Sequence, residues 1–280
     1  MPDSTGLSHV SDTALMVAAC RAMETARPDG MVRDPFADRL AGARGMAIAR
    51  AVPRIETMCF GVGMRSHFLD DLLLGALAAR GIRVVISIGA GLDTRPWRME
   101  LPAHLRWIEV DFPEMLDYKA AVLAGEEPKC QLERMAADVT DAAARHHIYS
   151  AVVSAKALLI TEGLLSYLPA ATVGALAAEV APMGGIRYWL LDLHSPTLAR
   201  RAGTNQTVGH VRDASALNGE EIRDLLERQG WTSIERRSYV TDAAAIGGER
   251  LRLAMRKYAE SKMPPLPADD FSGVHLLGRD

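Results

Sequence analysis

The chain has 280 residues, 49% of them hydrophobic and 24% charged, which is the composition of a soluble globular protein with room for one large domain or two small ones. Lysine and arginine total 32 against 35 aspartates and glutamates, a formal charge of -3, so neither a nucleic-acid backbone nor a membrane surface is expected as a partner. The three cysteines, Cys20, Cys59 and Cys130, lie far apart with no CxxC pair, which excludes a disulfide framework and a sulfur-rich zinc site and predicts a reducing compartment. The first eleven residues are polar, and no run approaches the roughly 18 apolar residues of a membrane span, so a cytoplasmic protein is expected. Aromatic residues make up only 5%, so the core must be built from Ala, Leu, Val, Ile and Met, as suits helices packed on a sheet.

In chain order, residues 11–26 read as a helix, with Ser11 or Asp12 as N-cap and Ala14, Val17 and Ala18 on one face. Asp34-Pro35 opens a second helix, and 53–80 reads as a third that ends at Gly81. The first strand, 82–88, is nearly continuous in β-branched residues, as in a parallel strand covered on both faces. Strands then alternate with helices: strand 105–110, helix 113–123, strand 131–137, helix 141–148, strand 157–160, helix 170–180 and strand 186–193. A loop at 194–217, a helix at 218–229 and strands at 231–240 and 251–258 follow. The alternation predicts a doubly wound α/β sheet. The last two strands, with no helix between them, predict an antiparallel hairpin at one edge, and the proline-rich 263–280 an extended tail. The expected organisation is a helical extension or lid over 1–81, a cofactor domain over 82–262 and the tail.

In open α/β sheets, ligands bind outside the carboxyl ends of the strands. The first strand ends in Gly89-Ala90-Gly91-Leu92-Asp93-Thr94. Two glycines admit a close backbone approach, while Thr94 replaces the third glycine of the dinucleotide fingerprint and favours a nucleoside without a pyrophosphate. A tight turn with no ligand is the alternative. Asp111 follows Gly91 by twenty positions, the distance at which an acid meets ribose hydroxyls, the reading the glycines favour; the alternative, compatible with it, is a cap on the next helix. Asp138, with the Val139 amide, ends the third strand beside a nucleobase position, or simply starts a turn.

Glu162 is a lone carboxylate in an apolar stretch at the fourth strand's end, where it needs a cationic partner: a ligand ammonium or sulfonium, or an arginine. Arg65 shares a helical face with Phe68, Leu69, Leu72 and Ala76, and Arg21 with Ala14, Val17 and Ala18. Each guanidinium would take a carboxylate fork, snorkel, or pair internally. The histidines, His194 among them, are not at metal-ligand spacings, so no metal is expected, and no GxSxG, P-loop or HExxH is present.

The run Ile88-Gly-Ala-Gly-Leu-Asp-Thr-Arg95, then Glu109-Val-Asp-Phe-Pro113 with Lys119, then Thr161-Glu-Gly-Leu-Leu-Ser-Tyr-Leu-Pro169 resembles the leucine carboxyl methyltransferase family of S-adenosylmethionine-dependent enzymes. Upstream, Ser11-Asp-Thr-Ala-Leu, Arg21-Ala, Asp34-Pro-Phe-Ala and Arg65-Ser-His-Phe-Leu-Asp-Asp are similar to its bacterial branch, which includes polyketide carboxyl O-methyltransferases. The resemblance covers about 11–194. It implies a Rossmann-like class I methyltransferase sheet with a helical N-terminal cover, S-adenosyl-L-methionine as cofactor and S-adenosyl-L-homocysteine as product. It further implies Arg65 on the methionine carboxylate, Gly89, Ala90 and Gly91 at the close approach, Asp111 on the ribose, Asp138 and Val139 on the adenine, and Glu162 at the ammonium end. Arg21 matches a basic contact near the active site. After Asp138 the chain has Val139-Thr140-Asp141 where many relatives have Leu-Arg.

The expected reaction is methylation of a carboxylate on a small molecule or peptide terminus, which needs no base because the acceptor is already ionised. Arg21, or an arginine between 200 and 212, would steer the acceptor. The rival is a hydroxyl acceptor with His194 or Tyr167 as base; a non-catalytic cofactor-binding fold and an NAD-dependent oxidoreductase are further alternatives. A homo-oligomer stays open.

Overall fold

The computed structural model describes residues 10–152, 155–180, 184–202, 213–252 and 266–279. Three helices, α1 (Val10–Thr25), α2 (Ala37–Ala51) and α3 (Ile55–Arg80), precede the sheet, as the sequence predicts. Gly81 closes α3 at φ +63°, the left-handed conformation that a helix C-terminus takes most readily with glycine. Then come β1 (Val84–Ile88), α4 (Arg95–Arg98), β2 (Arg106–Asp111), α5 (Pro113–Val122), β3 (Gln131–Ala136), α6 (Ala142–Ser150), β4 (Ala157–Thr161), α7 (Ala170–Val180), β5 (Ile186–Leu193), α8 (Pro196–Ala202), α9 (Gly219–Arg228), β6 (Thr232–Ser238), α10 (Thr241–Ile246) and β7 (Gly273–Gly278). The single turn of α4 and helix α8 lie in stretches expected to be loop.

The seven strands are ordered β3-β2-β1-β4-β5-β7-β6. β1 to β5 pair in parallel, and β7 runs antiparallel to both β5 and β6. The sheet is the mostly parallel Rossmann-like one predicted, with the antiparallel element near one edge. Alternate residues along each strand serve opposite faces. Val84, Ile86 and Ile88 join the core under α6, α7 and α9, while Val85, Leu158 and Leu190 pack against Phe68, Leu69 and Leu72 of α3.

The last strand pairing corrects two expectations. Strand β6 does not form a hairpin with 251–258: residues 248–252 are helical, and 253–258 lie outside the described residues. Its partner is β7, drawn from the expected tail over 263–280 and inserted between β5 and β6. That tail reads as extended because β7 is six residues long, bounded by Gly273 and Gly278, and preceded by prolines. In place it is wholly buried, since an interior strand is covered on both faces whatever its length. Gly273 is needed there: a Cβ would stand 2.2 Å from the Arg237 carbonyl oxygen.

Helix α1 lies at the carboxyl end of the sheet. α1 packs on α2 and α3, and Ala14 of α1 would sit 3.7 Å from a Cβ built on Gly91. No helix among the described residues is long and apolar enough to cross a membrane.

Candidate functional site

A cavity of about 520 Å³ opens where α1 and α3 meet the carboxyl ends of β1, β2, β3 and β4, a volume within the range of small-molecule and cofactor sites. Its wall brings together Arg21, Arg65, Gly89, Ala90, Gly91, Asp111, Asp138, Val139, Glu162 and Tyr167. Of the predicted site residues, only His194 is absent from it.

The glycine loop is a tight turn that presents backbone. Gly89 and Gly91 take φ of +65° and +47°, and a Cβ on Gly89 would lie 2.9 Å from Leu164 Cδ1. The N–H groups of Gly89 and Ala90 donate to the Val110 carbonyl, tying the turn to β2. Asp111 accepts the Gly91 N–H at 2.6 Å and the Phe112 N–H at 2.8 Å. Phe112, not Asp111, is the N-cap of α5, so the carboxylate is fixed against the loop instead of capping the helix. Burial raises its pKa, and the two N–H donors only partly oppose this. Asp138 is exposed and bonds to the Thr140 N–H and hydroxyl. It therefore starts a turn while standing on the cavity wall.

Glu162 and Arg65 do pair internally. Arg65 Nε meets Glu162 Oε1 at 2.9 Å, and its Nη1 lies 3.5 Å from Asp192. The other oxygen of Glu162, Oε2, accepts from Arg95 Nη1 at 2.7 Å. Burial pushes Glu162 up, but Arg95 and Arg65 outweigh it and hold the carboxyl below the usual range. Arg21 is also partnered: Nε on Asp34 at 2.8 Å and Nη2 on the Leu92 carbonyl at 2.6 Å. It braces the glycine loop to the start of α2 and still reaches the cavity wall.

His194 follows β5, with its ring stacked on Tyr239 at 5.4 Å and Nδ1 3.8 Å from Asp192. Burial lowers its pKa against the opposing pull of Asp192. It does not line the cavity; its ring is held by Tyr239, which also stacks on Phe68 of α3.

Sequence reasoning missed Asp70, Arg95, Arg98 and Asp192. Asp192 carried the same signal as Glu162, a lone carboxylate ending the apolar run Tyr188-Trp-Leu-Leu. Arg95 and Arg98 flank Pro96-Trp97 directly after the glycine loop, a position that now explains their placement. Thr13 of α1 was also passed over: its hydroxyl is buried and makes no hydrogen bond among the described residues, on a residue of the cavity wall.

A glycine turn, an acid at the end of β2 and an acid–arginine pair at β4, on this strand order, define a nucleoside-binding α/β fold of the class I methyltransferase type. The model of the leucine carboxyl methyltransferase family matches residues 14–181. Among curated relatives, one from Streptomyces avermitilis is 37% identical over 241 residues, covering 80% of this chain and 81% of its own. Another, from Mycolicibacterium smegmatis, is 32% identical over 252 residues, covering 80% and 84%. Both carry the name of S-adenosyl-L-methionine-dependent methyltransferases. A solved DUF574 family protein from Streptomyces avermitilis superposes with a TM-score of 0.59 at 14% identity, over 94% of this chain and 97% of that one, a likeness of fold. The chain belongs to the leucine carboxyl methyltransferase family and is an S-adenosyl-L-methionine-dependent methyltransferase.

The cavity fits that cofactor. Its wall offers arginines for a carboxylate, acids for ammonium and sulfonium charge, an acid fixed on the glycine loop for ribose hydroxyls, and the apolar Val110, Met115 and Val139 for a base. Thr13 adds an unused hydroxyl. Among the described residues, no group of three or more His, Cys, Asp or Glu is arranged to hold a metal.

Proposed function

We propose that the enzyme methylates a carboxylate on a small molecule, such as a natural-product acid, or on a peptide terminus, to give a methyl ester. The bound cofactor supplies an electrophilic methyl group on a sulfonium. Arg65 holds the methionine carboxylate, Glu162 faces the ammonium end, Gly89, Ala90 and Gly91 give close backbone approach, Asp111 takes the ribose hydroxyls, and Asp138 with the Val139 amide reads the adenine edge. The helices over 1–81 act as a lid that excludes water, and Arg21 sits where an incoming acid would be steered. The cofactor domain extends from β1, now with β7 included, and the acceptor is expected to lie between α1 and the segment that follows His194.

The observation that carries this reading is the chemistry of the cavity wall: among the described residues it holds arginines, carboxylates and one tyrosine, and no histidine, lysine or cysteine. A carboxylate acceptor with a reference pKa of about 4 is ionised at neutral pH and needs no base, so positioning and dehydration are what the site must provide. A hydroxyl acceptor would need a base; of His194 and Tyr167, the two bases that reading invokes, Tyr167 is the one on the cavity wall.

Mass spectrometry of reactions with a panel of organic acids tests the proposal. A product that gains one methyl and loses it in mild alkali is expected; an alkali-stable ether would overturn the carboxyl reading. Tyr167→Phe should change kcat by no more than about threefold, whereas loss of a general base removes roughly a hundredfold or more.

A further inference from the structure

From Arg65 and Glu162 on the cavity wall a chain of charges runs back to Arg95, Asp70 and Arg98, which the expected reaction does not use. Arg98 holds Asp70 with two hydrogen bonds of 2.6 and 2.8 Å. Asp70 accepts from Arg95 Nε at 2.7 Å, and Arg95 Nη1 reaches Glu162 at 2.7 Å and Asp93 at 3.0 Å. Glu162 meets Arg65, which in turn meets Asp192, and Asp192 takes the Gly163 N–H at 2.6 Å. The Arg95 side chain is 2% exposed and does not line the cavity. Removing a guanidinium this buried would take the ion-pair partner from Asp93 and one of two arginines from Asp70 and Glu162.

The arrangement around the central pair is symmetric in kind. An arginine and a carboxylate facing each other freely close into a two-bond fork that uses both oxygens and two N–H groups. Arg65 and Glu162 share a single bond, because each has a second partner: Arg95 takes Oε2 of Glu162, and Asp192 draws Nη1 of Arg65. That separation leaves an acceptor site on the carboxylate and donors on the guanidinium for a zwitterion, the charge pattern of an amino-acid end. Three arginines (Arg65, Arg95, Arg98) face four carboxylates (Asp70, Asp93, Glu162, Asp192) in this chain, so the cluster carries one surplus negative charge and favours a ligand that brings a net positive one.

We propose that Arg95, anchored on Asp70, is a positioning residue for the amino-acid end of the cofactor, holding Glu162 apart from Arg65 so that both can engage it. This rests on the assignment of Arg65 and Glu162 to that end.

Calorimetry with two ligands tests it: S-adenosyl-L-homocysteine, and 5′-methylthioadenosine, which keeps the nucleoside and lacks the amino-acid end. In Arg95→Met the affinity for the first is expected to fall roughly tenfold or more, the scale of a lost charged hydrogen bond, with the second unchanged. Arg95→Lys, which keeps the charge but reaches fewer carboxylates, should recover part of the loss. Parallel losses for both ligands, or no loss for either, overturn the proposal. If Arg95→Met does not fold, Asp70→Asn carries the test, with a smaller but equally selective loss expected. Arg65→Met separates the two readings: if it spares the ratio of the two affinities, the assignment of the amino-acid end fails. If Arg65→Met collapses the ratio and Arg95→Met and Asp70→Asn do not, only the positioning role fails.

Discussion

The two halves of the sheet's carboxyl rim hold their polar groups by different means. At the ends of β2 and β3, carboxylates are fixed by neighbouring main chain: Asp111 by the N–H groups of Gly91 and Phe112, Asp138 by that of Thr140. At the ends of β4 and β5, Glu162 and Asp192 face guanidiniums from α3 and α4, helices distant in sequence, with the Gly163 N–H as a further donor to Asp192. A backbone donor neither titrates nor changes rotamer, so the first half is rigid but leaves its acids uncompensated by charge. The second half is compensated, at the risk that loss of one member strands the others in a desolvated place.

Breaking the ionic half should therefore have the largest effect. Glu162→Ala removes the shared partner of Arg65 and Arg95 and is expected to cost about 3–5 kcal/mol of stability, read as a shift of the denaturation midpoint. A loss below about 1 kcal/mol, typical of an exposed pair, would erase the distinction between the halves. Asp111→Ala should act mainly on ligand binding, weakening cofactor affinity by roughly tenfold to a hundredfold while stability falls by about 1 kcal/mol; calorimetry and thermal melts separate the two.

The pH dependence sharpens the same contrast. Burial raises the Asp111 pKa, so on acidification this carboxylate takes up a proton in a window above the ordinary carboxylate range, and the charge proposed to meet the ribose is lost. Glu162 is held below the usual range by Arg95 and Arg65 and stays ionised through that window; its ion pairs, present above the unfolded carboxyl pKa, are lost only as pH falls through the lower folded value. Cofactor affinity should weaken on acidification, and Asp111→Asn should flatten the profile. A variant profile as steep as the parent's would place the titration elsewhere. The smallest effect is expected at the exposed end of the sheet, where Glu133→Ala, which breaks the surface pair with Arg106, should cost less than about 1 kcal/mol by chemical denaturation.

The division between main-chain and side-chain support also decides what could be read from the sequence. The glycine turn and Asp111 depend on spacing along one chain segment, so a strand, two glycines and an acid twenty residues on were enough. Glu162 was legible as a lone charge in an apolar run, yet its pairing with Arg65 and Arg95 depends on how α3 and α4 dock, which no local pattern encodes. Asp192 carries the same sign as Glu162 and was passed over. The stacking of His194 on Tyr239 likewise depends on how distant segments dock, which no local pattern encodes. In the fold, strands with continuous β-branched runs were found close to their true bounds. β7 was not, since a short strand after a proline-rich stretch differs from a tail only through the neighbours that bury it.

The most direct test of the account is a crystal structure of the complex with S-adenosyl-L-homocysteine. The ribose hydroxyls should meet Asp111, and the amino-acid end should lie between Arg65 and Glu162 with Arg95 still on the far oxygen of Glu162. A ligand bound in the reverse sense, or one whose amino-acid end leaves Arg65 and Glu162 joined only to each other, would contradict it.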